Sequence, residues 1–209
     1  MRTPEEKEYC HERLGSAFRE ALSWYDTSRR LSVPVDESLN DEMVRDKEVL
    51  EVGAGLGFFS ERLHRKGARV TATDIGEGLL ESVRQRAGCR CERVDALSLA
   101  DRFGPERFDV VVSSECIEHT PAPAEALRQM ATVLRPAGYI SVSTPNWLWY
   151  PVVRAATILR LRPFDGLENV SSFARIREAL NGEGVTILRE KGAPPLPVST
   201  GDALGLRVV

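Results

Sequence analysis

The sequence predicts an α/β fold, a mostly parallel sheet with helices on both faces, and three observations lead to it. From residue 48 onward, short β-rich runs alternate with helical runs, the pattern of parallel strands joined by helical crossovers. Two of those runs, FDVVVSS at 108–114 and YISVS at 139–143, are mostly apolar, as strands covered on both faces are. The run VLEVGAGLGFF at 49–59 carries a strand through three glycines into a helix, a turn on which a ligand can lie directly against the backbone.

In chain order, residues 5–24 place Leu14, Ala17, Phe18, Ala21 and Leu22 at helical spacing among charged residues, which predicts an amphipathic leading helix. Strands are expected over 48–52, 69–74, 91–94, 108–113 and 138–143, with helices near 58–66, 78–86 and 122–134. A helix over 171–180 ends at Gly182 and Gly184, a strand follows over 185–190, and the closing LGLRVV supplies a last strand to pair with it. We expect residues 1–44 to form a helical cap, and residues 45–209 one domain with a substrate-side insertion near 145–170.

A chain of 209 residues, 42% hydrophobic and 28% charged, buries one substantial core. Its net charge of −3 gives no general attraction to phosphate backbones, so nucleic acid is not an expected partner. Cys10, Cys89, Cys91 and Cys116 are scattered, and the only close pair is Cys-x-Cys rather than the Cys-x-x-Cys of zinc or redox motifs. No apolar run suits a signal peptide or a membrane span. The expectation is a reduced, soluble, cytoplasmic protein.

The glycine loop reads Gly53-x-Gly55-x-Gly57, whereas a dinucleotide fingerprint needs its third glycine where Phe58 stands. Glu51 beside it suits a ligand that carries an ammonium group rather than a pyrophosphate. Asp74 follows Gly53 by 21 residues, a spacing that suits a carboxylate on two ribose hydroxyls, and Asp95 closes the next strand, where it can accept from an adenine amino group. These features together point to S-adenosylmethionine.

LEVGAGLG, TATDI, RVDAL and the run from FDVVVSSECIEHTP through LRPAG to STPN resemble the successive motifs of class I S-adenosylmethionine-dependent methyltransferases over residues 45–190. Within them, the strand-four motif with LRPAG and STPN is most similar to the ubiquinone-biosynthesis O-methyltransferase type. Ala137 departs from that pattern, where a second glycine is more usual. The resemblance implies a Rossmann-like sheet of seven strands in the order 3-2-1-4-5-7-6, strand seven antiparallel. It also implies that Glu51, Gly53, Ala54, Gly55 and Gly57 hold the methionine end of the cofactor, Asp74 and Ile75 the ribose, and Asp95, Ala96 and Leu97 the adenine. Ser114 and Glu115 match its edge.

SECIEH at 114–119 falls where strands one and four diverge, the usual ligand crevice of an open α/β sheet. If 115–119 form a helical turn, Glu115 shares a side with Glu118 and His119. Three roles stand open: structural or cofactor-positioning, His119 as a general base without metal, and a divalent-metal site of Glu115, Glu118 and His119, the role described for the matching positions in the resembling family. We take His119 as the catalytic candidate and do not favour the metal. Cys116 reads as a packed small side chain. RNA 3′-terminal ribose methyltransferases resemble this cluster too but add a distal histidine, and the only other histidines here are His11 and His64.

The expected reaction is methyl transfer to a small, aromatic or hydrophobic acceptor, at a hydroxyl or phenol oxygen. N- or C-methylation is the alternative within the class, and an NAD(P)-binding oxidoreductase or a non-catalytic cofactor-binding protein lies outside it. Residues 145–164, PNWLWYPVVRAATILRLRPF, place aromatics and Arg154, Arg160 and Arg162 over the substrate side, as a lid or as a peripheral membrane contact. Tyr9, Trp24 and Tyr25 are further candidates to line the acceptor pocket.

Overall fold

The computed structural model describes residues 39–145, 169–191 and 205–208. The leading helix, most of the cap, Tyr9, Trp24, Tyr25 and nearly all of the 145–170 insertion lie outside these residues.

The described chain runs α1 (Asp41–Val44), β1 (Glu48–Val52), α2 (Phe58–Arg65), β2 (Arg69–Asp74), α3 (Glu77–Ala87), β3 (Arg90–Arg93), α4 (Leu99–Phe103) and β4 (Phe108–Ser114). A 3-10 turn (Ile117–His119) follows, then α5 (Pro123–Val133), β5 (Leu134–Ser143), α6 (Phe173–Asn181), β6 (Ile187–Lys191) and β7 (Gly205–Val208). The seven strands form one sheet in the order β3-β2-β1-β4-β5-β7-β6. The first five are parallel, and β7 runs antiparallel to both its neighbours. The expected Rossmann-like order is the observed one.

Side-chain alternation along the central strands decides which face each residue serves. Val49, Val70, Val110 and Val112 pack with Leu39, Met43, Val44 and Leu63 beneath α1 and α2, while Ala54, Ala72, Val83 and Ala87 continue that side beneath α3. Leu50, Val52, Val111, Ile140 and Val142 face the other way, onto Leu99, Leu127, Met130 and Ile176 of α4, α5 and α6.

Three local differences from the sequence expectations have physical causes. Helix α4 is unannounced by any long period, but Leu99 is fully buried, Phe103 meets Phe108 edge to face at 5.2 Å, and Gly104 at φ 75° ends the turn. Strand β5 begins at Leu134, earlier than expected, because its first residue pairs with Phe108 before a register shift. Ala137 sits within that irregular stretch at φ 62°, a left-handed conformation that costs an alanine roughly 1–2 kcal/mol and suits the glycine more usual there.

Candidate functional site

A solvent-open cleft lies at the carboxyl ends of β1 to β4. Its wall is Val52 and Gly53 after β1, Asp74 and Ile75 after β2, Val94, Asp95 and Ala96 after β3, and Cys116, His119, Thr120 and Pro121 after β4. It sits at the switch point, where β1 is flanked by β2 on one side and β4 on the other, so connections from the two strands leave to opposite faces.

The glycine loop is built from left-handed residues: Gly53, Gly55 and Gly57 have φ of 76°, 52° and 80°. Thr73 anchors its start, since its carbonyl accepts from the N–H groups of Gly53 and Ala54, both at 2.9 Å. Asp74 anchors its middle: Oδ2 accepts from Gly55 N at 2.9 Å and Oδ1 from Gly76 N at 2.9 Å. A Cβ on Gly53 would stand 2.6 Å from Cys116 Cβ, one on Gly57 3.0 Å from Val83 Cα, and one on Gly55 would meet nothing within 4 Å. Glycine is therefore required at 53 by conformation and by Cys116 together. Gly53→Ala should destabilise the fold by about 2–3 kcal/mol, from strain plus overpacking. Urea denaturation would read it, and adding Cys116→Gly should recover the packing part only. A variant as stable as the parent would contradict this packing.

Glu51 does not form part of the cleft wall. It alternates with Val49 onto the α2 side of the sheet, is 2% exposed, and accepts from the Ser60 hydroxyl. Burial raises its pKa to about 8, against the lowering effect of the Ser60 hydrogen bond, and the Asp74 carboxylate adds to the rise. Near neutrality it is therefore mostly a carboxylic acid beneath the loop, not the carboxylate beside an ammonium group that its place in the motif suggested.

The cluster after β4 is not a helical turn from 115. Glu115 has φ 52° and donates its N–H to Ser143 O at 3.0 Å, and the 3-10 turn begins only at Ile117. Glu118 is 1% exposed; its Oε2 accepts from Thr144 Oγ1 at 3.4 Å and its carbonyl from Asn169 N at 2.6 Å. That ties the turn to the end of β5 and to the segment before α6. His119 alone of the three faces the cleft. Ser114 Oγ lies 2.7 Å from Ser143 Oγ, across the β4–β5 pair. Burial pushes the Cys116 thiol pKa well up, with Asp74 and Glu118 adding to the effect, so it stays a neutral thiol packed on Gly53.

Residues 50–142 match the family model described as a methyltransferase domain. The ubiquinone biosynthesis O-methyltransferase of Serratia proteamaculans is 36% identical over 155 residues, 70% of this chain and 64% of that protein. The chain carries a methyltransferase domain over residues 50–142. It spans just under two thirds of the length of that relative. Magnesium protoporphyrin IX methyltransferase from Synechocystis with bound SAH shares this methyltransferase fold at TM-score 0.69 and 20% identity, covering 87% of this chain and 82% of that one. The [4+2]-cyclase SpnF shares it too, at TM-score 0.62 and 19% identity over 82% and 62% of the two chains.

Of the expected site residues, Gly53, Asp74, Ile75, Asp95, Ala96 and His119 meet on the cleft wall. Ala54, Gly55 and Gly57 complete the loop beside it. Leu97 donates its N–H to Asp95 Oδ1 at 3.0 Å and so shapes the turn behind it. Glu115, Glu118 and His119 do not share the helical turn on which their convergence was conditional, since Glu115 has φ 52° and stands before the 3-10 turn, and among the described residues no group of three His, Cys, Asp or Glu side chains could hold a metal. Thr73, Ser60, Thr120 and Pro121 were not foreseen. The signals that could have found them are strand alternation, which sets Glu51 on the same face as Val49 and so towards α2, and the Thr-Pro pair that follows His119.

Proposed function

We propose that this chain transfers a methyl group from S-adenosylmethionine to a hydroxyl or phenol oxygen of a small apolar or aromatic acceptor, and that it does so in the cytoplasm. The observation that carries the reading is the Asp74 carboxylate, 6% exposed at the cleft, with each oxygen already holding one loop amide. Each oxygen keeps acceptor capacity for one ribose hydroxyl. The acceptor class is supported by the Serratia relative's name, an O-methyltransferase of ubiquinone biosynthesis.

The residues present fit that cofactor. Open space above Gly55 leaves bare backbone for the methionine end. Ile75, Val94 and Ala96 offer an apolar wall to a flat adenine, and Asp95 is exposed at its rim to accept from the amino group. When bound, S-adenosylmethionine supplies an electrophilic methyl group. The chain's work is to align the acceptor and to take its proton, the latter assigned to His119 at the cleft wall. No step is assigned to a metal.

Titration calorimetry with S-adenosylhomocysteine and with NAD tests the cofactor: the former should bind, and tighter NAD binding would overturn the reading. Because the fold also serves a cyclase, methyl transfer itself must then be detected with radiolabelled cofactor against phenolic acceptors. Asp74→Ala should weaken S-adenosylhomocysteine by roughly 10- to 150-fold, the loss expected from charge-assisted hydrogen bonds of about 1.5–3 kcal/mol. Unchanged affinity would remove Asp74 from the site.

A further inference from the structure

Arg86, on the last turn of α3, does not line the cleft, yet it makes three contacts with the segment that leads the glycine loop into α2. Its Nε donates to the Leu56 carbonyl at 3.0 Å. Its guanidinium carbon stands 4.1 Å from the centre of the Phe58 ring. Its Nη1 is 3.5 Å from Glu61 Oε2. One turn earlier on the same face, Val83 backs directly onto Gly57, where a Cβ would lie 3.0 Å from Val83 Cα.

Helix α3 thus grips the loop twice, by shape at Val83 and by a hydrogen bond and a ring contact at Arg86. At its other end the helix follows Gly76, whose N–H is held by Asp74. One helix therefore bears on both the strand-two acid and the loop. A guanidinium can donate in its plane while its face lies on an aromatic ring, which an ammonium cannot do in the same way. Its place near the helix C-terminus is also favourable for a cation.

We propose that Arg86 is a positioning residue for the cofactor, locking the Leu56–Phe58 backbone so that the loop amides are pre-organised before a ligand arrives; this role rests on the methyltransferase reading. Phe58 is the position at which a dinucleotide fingerprint carries glycine. A glycine there would leave Arg86 no ring to rest on, so the departure from the fingerprint and the clamp are one device.

The side chain of Arg86 is 37% exposed, so its removal leaves no buried void. Three variants, Arg86→Ala, Arg86→Lys and Phe58→Leu, should be compared with the parent in hydrogen exchange of the 53–59 peptide without ligand, in S-adenosylhomocysteine affinity, and in kcat and KM for the cofactor. Arg86→Ala should speed loop exchange and raise cofactor Kd and KM, each by about tenfold, with saturated kcat within about twofold. Arg86→Lys and Phe58→Leu should fall between Arg86→Ala and the parent. Unchanged loop exchange in Arg86→Ala, exchange rising throughout the molecule with a lowered Tm, or a fall in kcat at constant KM would each overturn the clamp. A parent that binds no S-adenosylhomocysteine would instead overturn the methyltransferase reading and the cofactor role with it, and the loop exchange would still decide whether Arg86 holds the loop.

Discussion

Between about pH 4.5 and pH 8 the parent protein should lose stability relative to Glu51→Gln by an amount on the order of 4–5 kcal/mol. Folded Glu51 keeps its proton up to about pH 8, while the unfolded chain releases it near the ordinary 4.5. The native state therefore binds more protons throughout that window, and raising the pH costs stability until the folded group has ionised. The contribution is fully present below 4.5 and gone above about 8. Glutamine imitates the neutral carboxyl beside Ser60 and has no proton to lose. Urea midpoints of parent and variant should nearly coincide at pH 4.5 and separate progressively towards pH 9, the variant being the more stable. Parallel curves would mean that Glu51 is charged in the folded protein, and Ser60→Ala, which removes the hydrogen bond that lowers its pKa, should extend the fall in stability to higher pH without changing its slope.

Replacing His119 by alanine should lower kcat by roughly a hundred- to ten-thousand-fold at neutral pH, the range that a positioned general base supplies. S-adenosylhomocysteine affinity should stay within about threefold, because the proton is taken from the acceptor and not from the cofactor. The wild-type rate should be insensitive to a chelator. Full activity in His119→Ala, or a rate abolished by chelator and restored by a divalent ion, would take the proton transfer away from His119.

The pattern of the sheet was legible in the sequence because β1 and β2 are bounded by unmistakable chemistry. Glu48–Val52 ends where three glycines begin, and Arg69–Asp74 ends at its acid. Asp74 and Asp95 were found for the same reason: a strand-end carboxylate in an α/β sheet has one address. Glu51 was harder. Its place next to Gly53 suggested the ligand, but a strand residue points where its pleat directs it, and the pleat sends Glu51 to Ser60. The 114–119 cluster was harder in another way, since Glu115, Glu118 and His119 fit one helical turn on spacing alone. What breaks that turn is a positive φ at Glu115, and nothing in a glutamate announces one. Arg86 was invisible to motif reading because its work is done across 30 positions of chain, on the carbonyl of Leu56.

The position of β7 between β5 and β6 has a consequence for how the chain comes off the ribosome. All four strands that shape the cleft are synthesised before the strand that closes the flank of β5. Until residues 205–208 emerge, β5 presents a row of unpaired backbone donors and acceptors, and β6, although already made, reaches the sheet only through β7. Among the described residues the cleft wall is drawn from the ends of β1 to β4, and the last strand has a part in assembly. It determines whether a half-finished sheet pairs with its own tail or with the edge of another nascent molecule, which is a matter of yield and solubility.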